Sequence, residues 1–96
     1  GLVRTMAWEL GPHNIRVNLI SPGPVEGERI TRVIRNLAAL HGISEENAQH
    51  TFLRDSPLAR MVPPTDVANA AVFLASDLSG STTGEDLNVA AGIVMH

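Results

Sequence analysis

A short alternating segment that ends in a proline-glycine turn constrains the fold of this chain most. Apolar and polar residues largely alternate over residues 15–21, which is typical of a β-strand. The segment Ser21-Pro22-Gly23-Pro24 then places two prolines and a glycine where a strand cannot continue. Helical patterns precede and follow this strand. The order therefore predicts an α/β unit that contributes to a parallel sheet.

The rest of the chain continues this order without a repeat or an internal domain boundary. Gly11 is expected to cap the first helix in the left-handed conformation, because Pro12 forbids its continuation. Pro64 is expected to open a helix that is apolar on nearly all sides and therefore buried on several of them. The predicted elements are helices over 1–10, over 28–40 with Gly42 as its cap, from Ser44 and from Pro64, and a last strand over 86–90.

The chain contains no lysine, tyrosine or cysteine, and its 7 basic and 10 acidic residues give a formal net charge of −3. It can therefore supply no Schiff-base lysine, tyrosine acid, cysteine nucleophile, disulfide or cysteine-based zinc site. Without a basic patch, nucleic acid is not an expected partner. No apolar run approaches the ~18 residues of a membrane helix, so no membrane association is expected.

The turn after the first strand is the main candidate site. In open α/β sheets, ligands bind beyond the carboxyl ends of strands, which here are residues 21–23 and 90–92. The prolines have no N–H, so the backbone donors left in the first turn are those of Gly23, Val25, Glu26 and Gly27. These donors suit a carboxamide or a phosphate. A tight turn without a ligand stays open as the alternative. No Gly-x-Gly-x-x-Gly or Walker motif occurs.

Four segments in matching order and spacing resemble the C-terminal part of the short-chain dehydrogenase/reductase family. They are Glu9-Leu10-Gly11-Pro12-His13-Asn14-Ile15-Arg16-Val17-Asn18, Ser21-Pro22-Gly23-Pro24-Val25, Pro64-Thr65-Asp66-Val67-Ala68 with Phe73-Leu74-Ala75-Ser76, and Thr83-Gly84 to Val89. The resemblance implies that residues 1–96 form the C-terminal portion of one doubly wound, parallel-sheet Rossmann-type domain. The order within it is helix, strand, helical lid, helix, strand. It also implies that the substrate-binding lid spans residues 26–60.

The resemblance implies an NAD(P)-dependent oxidoreductase that transfers hydride between NAD or NADP and an alcohol or carbonyl compound. The family's catalytic Tyr-x-x-x-Lys pair is expected just upstream of Gly1, so no catalytic residue and no metal ligand is assigned here. The cofactor-binding residues it implies are Pro22 and Gly23 under the nicotinamide ring, Val25 on the carboxamide, Pro24 and Gly27. Gly27 stands where the family often has a pyrophosphate-contacting Thr.

Other side chains leave two interpretations open. The Arg29, Arg32 and Arg35 stripe suits an anionic substrate or, more simply, a solvated helix face. His41 and His50 are interpreted as surface or pocket-rim residues. Trp8 is either an anchor between subunits or an ordinary core residue. The family's Asp-Gly-Gly at the last strand end is replaced by Ala90-Ala91-Gly92, which suggests a change in a subunit contact or the pocket floor.

Two functions remain as hypotheses at this stage. The first is a cytoplasmic, homo-oligomeric (dimeric or tetrameric) dehydrogenase or reductase, and the second is a non-catalytic interaction module that reuses half of the fold. An in-frame Tyr-x-x-x-Lys directly upstream of Gly1 would favour the enzyme, whereas a start codon there would favour the module. The isolated chain is expected to bind no dinucleotide tightly. It is also expected to be aggregation-prone or to need partner chains, because sheet edges and helix faces lose their cover.

Overall fold

A computed structural model describes residues 1–93, which form four α-helices and a two-stranded parallel sheet. The last three residues of the predicted unit, 94–96, lie outside the described part. The helices are α1 (Leu2–Leu10), α2 (Glu28–His41), α3 (Glu45–Phe52) and α4 (Pro64–Ala75), and the strands are β1 (Leu19–Pro22) and β2 (Asp86–Val89). Short 3-10 turns follow α1 and α4 at Gly11–His13 and Asp77–Ser79. The predicted α/β class and parallel pairing are confirmed.

The two strands are in register from Leu19 opposite Asp86 to Pro22 opposite Val89. The prediction that β1 starts at residue 15 is wrong by four residues, since the strand begins at Leu19. Val17, which precedes the strand, forms hydrogen bonds with a loop instead of with a strand. Its N–H donates to Thr83 Oγ1 at 3.1 Å, and its carbonyl accepts from the Gly84 N–H at 2.8 Å.

The end of α1 also differs from the prediction. Gly11 keeps a right-handed helical backbone (φ −54°, ψ −45°) and is therefore not the left-handed cap. Pro12 is accommodated at the start of a 3-10 turn, where its missing N–H removes no hydrogen bond. Asn14 takes the left-handed conformation instead (φ 59°, ψ 35°), which Asn tolerates better than most residues.

Helices α2 and α3 pack on each other and enclose a small core of Ile34, Ala38 and Ala48. Gly42 ends α2 with φ 63°, as predicted, because the left-handed conformation costs glycine little. Ser44 caps α3, as predicted, by accepting a hydrogen bond from the Asn47 N–H at 3.0 Å. Residues 26–60 thus contain a helical pair with its own apolar contacts.

A side-chain network fixes the end of α4 to the segment before β1. The guanidinium of Arg16 donates to the Ser76 carbonyl at 3.1 Å, to Ser79 Oγ at 3.0 Å and to the Thr82 carbonyl at 3.3 Å. Asn18 donates to the same Thr82 carbonyl at 3.0 Å. Because charged donors make stronger hydrogen bonds than neutral ones, this network stabilises the approach of the chain to β1.

The prediction that α4 is buried on several sides is wrong for the residues that the structure describes. None of its residues is buried, and Leu78 just after it is 85% exposed. The chain exposes 7065 Å², whereas a folded monomer of its mass exposes roughly 5,300 Å². Its apolar helix faces therefore have less cover than those of a compact monomer. None of the described helices has the length and apolar character required to cross a membrane.

Candidate functional site: the turn between the first strand and the lid

The turn that follows β1 rests on the carboxyl end of β2. The Gly23 N–H donates to the Val89 carbonyl at 2.9 Å and continues the strand pairing by one residue. A Cβ atom on Gly23 would lie 2.7 Å from Ala90 Cα and 2.9 Å from Ala90 Cβ, far inside van der Waals contact. Only glycine fits this approach without movement, so Gly23 and Ala90 together hold the two strand ends against each other.

A short parallel bridge then joins the turn to the segment before α4. The Val62 N–H donates to the Pro24 carbonyl at 2.8 Å, and the Glu26 N–H donates to the Val62 carbonyl at 2.9 Å. Val62 is 3% exposed, so the bridge is covered on the Val62 side. It holds Val25 between two bonded neighbours and leaves the Val25 N–H out of the bridge.

Two of the four predicted backbone donors are used inside the chain, and two are not. Gly23 and Glu26 donate to Val89 and Val62, whereas Val25 and Gly27 make no hydrogen bond from their N–H groups within residues 1–93. An unpaired N–H that is not satisfied by protein must meet water or a ligand. The free donors are thus two residues apart on one turn, directly after the strand end.

Gly27 has a backbone that other residues avoid. Its φ of 155° with ψ of 178° lies in a region that is essentially restricted to glycine, and nothing lies within 4 Å of its Cβ direction. A Thr at this position would fit sterically but would strain the backbone. The path of the chain into α2 therefore favours glycine at this position.

The second predicted strand end lies under this turn. Ala90 is 3% exposed and supports Gly23, while the Ala91 carbonyl accepts hydrogen bonds from Ser56 Oγ at 2.8 Å and from the Leu58 N–H at 3.1 Å. Residues 90–92 thus lie under the turn, and both interpretations of them, a subunit contact or the pocket floor, stay predictions. A cavity of about 450 Å³ lies beside these residues, lined in part by Arg60, Met61 and residues 88–93.

The helical pair α2–α3 borders a groove next to one of the two free donors, Gly27. A cavity of about 350 Å³ lies between α2 and α3 and includes Gly27 in its wall. Its other lining residues combine apolar and polar side chains: Glu26, Ile30, Thr31, Ile34, Glu45, Gln49 and Met61. The groove can therefore contact both an apolar group and a hydrogen-bonding group.

The arginine stripe and the histidines do not join the turn. Arg29, Arg32 and Arg35 are exposed on α2, and Arg35 pairs with Glu45 at 3.4 Å. His41 and His50 are also exposed, and within residues 1–93 no group of three His, Asp or Glu is placed to hold a metal ion. The solvated-face interpretation fits the stripe in this chain.

Trp8 lies on α1, far along the chain from the turn, and is 85% exposed. Its interpretation as an ordinary core residue is therefore wrong for the described residues. It borders a cavity of about 560 Å³ together with Arg4, Pro12 and residues 83–85.

Sequence reasoning missed two residues that shape the site. Val62 has a weak signal, since it is an apolar residue directly before Pro63-Pro64 in the connector between α3 and α4. Ser56 has none, because a serine before a proline is common in ordinary loops.

Comparison with known proteins agrees with this architecture. The sequence model of the family described as "Enoyl-(Acyl carrier protein) reductase" matches residues 1–94. The chain is 43% identical over 90 residues to enoyl-[acyl-carrier-protein] reductase [NADH] FabI of Synechocystis sp., covering 94% of this chain and 31% of that protein. It is 40% identical over 95 residues to the 7alpha-hydroxysteroid dehydrogenase of Escherichia coli K12, covering 99% of this chain and 33% of that protein.

The fold agrees as well. The crystal structure of L-sorbose reductase from Gluconobacter frateurii, complexed with NADPH and L-sorbose, superposes with a TM-score of 0.85 at 26% identity, over 99% of this chain and 36% of that one. The chain belongs to the short-chain dehydrogenase/reductase family. It spans about a third of the length of the curated relatives it matches.

Proposed function

We propose that residues 1–96 are the nicotinamide-side portion of an NAD(P)-dependent oxidoreductase, which transfers hydride between the cofactor and an alcohol or carbonyl substrate. One observation carries the proposal: the Val25 and Gly27 N–H groups are free within residues 1–93 and lie directly beyond the carboxyl end of β1. Such positions bind ligands in open α/β sheets. The family relationship favours a nicotinamide cofactor as the ligand.

The residues of the turn fit a nicotinamide group. The free Val25 N–H suits the carboxamide oxygen, and the free Gly27 N–H suits a pyrophosphate oxygen or water nearby. The close seating of Gly23 on Ala90, with Pro22 and Pro24 on either side, gives a rigid surface against which a ring can pack. The bound cofactor would supply or accept the hydride, and these residues would hold its ring in one orientation.

Both cofactors stay within the proposal. The name of the Synechocystis relative specifies NADH, and the sorbose reductase was crystallised with NADPH. The family resemblance implies that the general acid is the Tyr of the Tyr-x-x-x-Lys pair, and residues 1–96 contain neither Tyr nor Lys.

The lid, residues 26–60, is proposed to cover the substrate. Its groove of about 350 Å³ opens next to Gly27 and offers Ile30 and the neighbouring Met61 to an apolar part of the substrate. The Thr31 hydroxyl and the Gln49 amide in the same groove suit a hydroxyl or carbonyl group. This mixed lining supports a small-molecule alcohol or carbonyl compound as the substrate.

A homo-oligomer is proposed as the working form. Trp8 and Leu78 are both 85% exposed, and exposed large apolar side chains of this kind are characteristic of interaction surfaces. The cytoplasmic location stays a prediction from the sequence.

Removing the free N–H of Val25 tests the proposal. In the full-length protein that contains these residues, Val25→Pro removes a donor that takes no part in the bridge to Val62. Loss of one hydrogen bond of ordinary strength weakens NADH or NADPH binding about fivefold. The measurement is a fluorescence titration of the reduced cofactor.

Val25→Ala is the matched control, since it shortens the same side chain and retains the N–H; its affinity is expected within twofold of wild type. Equal affinity in Val25→Pro and wild type would contradict the assignment of the donor. A wild-type protein that binds neither cofactor would remove the oxidoreductase proposal and favour the interaction module.

A further inference from the structure

The lid is attached to the sheet differently at its two ends. At its start, the chain passes from the bridged residue Glu26 through Gly27 directly into α2. At its end, the connector after α3 is bonded to the turn that follows β2. We call this second attachment the lid clamp and define it as Ser56, Pro57 and Leu58 with Ala91 and Gly92.

The lid clamp is built from two hydrogen bonds and one tight contact. The Ala91 carbonyl accepts from Ser56 Oγ at 2.8 Å and from the Leu58 N–H at 3.1 Å. A Cβ on Gly92 would lie 2.6 Å from Pro57 Cδ, so only glycine allows the proline ring to sit there. Ser56 is 4% exposed, which means that its hydroxyl has little access to water.

Two alanines have a left-handed backbone at the lid clamp: Ala91 within it and Ala59 directly after Leu58. Ala91 has φ 52° and Ala59 has φ 51°, which are left-handed conformations that cost alanine roughly 1–2 kcal/mol each. Residues held in such conformations persist only when their surroundings stabilise them. The bonds to Ser56 and Leu58 provide that stabilisation for Ala91.

A short stretch of chain connects the lid clamp to the candidate cofactor turn. Val62 follows Ser56 by six residues and is 3% exposed. The Val62 N–H donates to the Pro24 carbonyl, and the Val62 carbonyl accepts from the Glu26 N–H. Pro24 and Glu26 are the two neighbours of Val25. A displacement of the connector would therefore move Val62 and, through the bridge, the Val25 N–H.

We propose that Ser56 is a positioning residue: through the lid clamp and Val62, it fixes both the downstream end of the lid and the direction of the Val25 N–H. The part that concerns the cofactor rests on the function proposed above. The lid clamp and its connection to the turn depend only on contacts between residues 24–26, 56–62 and 91–92.

Amide hydrogen exchange in the full-length protein tests the clamp without using the cofactor. Ser56→Ala removes the hydroxyl donor and is expected to speed exchange of the Leu58 and Val62 N–H groups about fivefold, the effect of losing one ordinary hydrogen bond on a local opening equilibrium. Ser44→Ala is the matched control, because it removes one lid hydroxyl that accepts from Asn47 N–H. It is expected to speed exchange at Asn47 and not at Val62.

Cofactor titration of the same variants tests the coupling. Ser56→Ala is expected to weaken NADH or NADPH binding about threefold to fivefold, whereas Ser44→Ala leaves it within twofold of wild type. An unchanged Val62 exchange rate in Ser56→Ala, or an equal increase in Ser44→Ala, overturns the clamp. Faster Val62 exchange with unchanged affinity overturns its positioning role.

The experiment also covers a wild-type protein that binds no cofactor and a Ser56→Ala variant that does not fold. If the wild-type protein binds neither cofactor, the oxidoreductase proposal fails, and the exchange rates alone decide whether the clamp exists. If Ser56→Ala does not fold, Ser56→Thr and Ser56→Val replace it, since they have nearly the same shape and differ in the hydroxyl. Slower Val62 exchange in Ser56→Thr than in Ser56→Val supports the clamp, and equal exchange overturns it.

Discussion

Substitution of Gly23 by alanine gives the sharpest test of how the two strand ends are held together. The added Cβ would lie 2.7 Å from Ala90 Cα and 3.2 Å from the Ala90 carbonyl carbon, which are backbone atoms that no side-chain rotation can move away. Relief requires that β1 and β2 separate at their carboxyl ends. That separation also lengthens the hydrogen bond from the Gly23 N–H to the Val89 carbonyl, which is 2.9 Å in the present structure.

The magnitude follows from these contacts. Overpacking of this kind costs about 1–3 kcal/mol, and the weakened hydrogen bond adds up to about 1 kcal/mol. Against this, replacing a glycine reduces the entropy of the unfolded chain and returns about 0.4–1 kcal/mol. The net expectation is a loss of about 2 kcal/mol in the free energy of unfolding, which lowers Tm by roughly 4–8 °C in a domain of 150–250 residues.

The assay is thermal unfolding of the full-length protein, with Gly11→Ala as the matched control. Gly11 has a right-handed helical backbone and no atom within 4 Å of its Cβ direction. The same glycine-to-alanine change is therefore expected to stabilise there, by about 0.4–1 kcal/mol. If Gly23→Ala leaves Tm unchanged or raises it, the close seating of the turn on Ala90 is wrong.

Three further substitutions have defined expectations, each measured by urea unfolding of the full-length protein. Arg16→Ala removes a charged donor to Ser76, Ser79 and Thr82 and is expected to cost about 2–3 kcal/mol; a loss below 0.5 kcal/mol would contradict the network. Ala91→Gly relieves the left-handed backbone at φ 52° and is expected to stabilise by about 0.5 kcal/mol; destabilisation would refute the strain. Arg35→Ala breaks a pair that is 68% exposed on the Arg side and is expected to change stability by less than about 0.5 kcal/mol, with a larger loss counting against a solvated stripe.

Much of the architecture could be predicted from local patterns. The proline-glycine turn marks the end of β1 at Pro22, and Ser44, Gly42 and Pro64 mark helix boundaries through interactions within one or two turns of chain. These signals act over a few residues, so they survive without knowledge of the tertiary structure.

The parts that could not be predicted depend on contacts between distant residues. The prediction that β1 starts at residue 15 failed because Val17 forms hydrogen bonds with Thr83 and Gly84 in a loop. Thr83 is 66 residues from Val17 in the sequence. The buried character assigned to α4 failed because its apolar faces have few partners among the described residues.

In the candidate site, too, local features could be predicted from the sequence and long-range contacts could not. Its donors could be counted from the sequence, because prolines have no N–H. Which donors remain free could not, since Glu26 is occupied by Val62 and Gly23 by Val89. Both partners lie far along the chain from the turn.

The most direct test of the account is the amide NMR spectrum of the full-length protein on addition of NAD(H) or NADP(H), compared with ADP-ribose, which lacks the nicotinamide. The account predicts that the Val25 N–H signal shifts only when the nicotinamide is present, while the Gly27 N–H signal shifts with both ligands. Unchanged Val25 and Gly27 signals at saturating cofactor would contradict the assignment of this turn as the nicotinamide site.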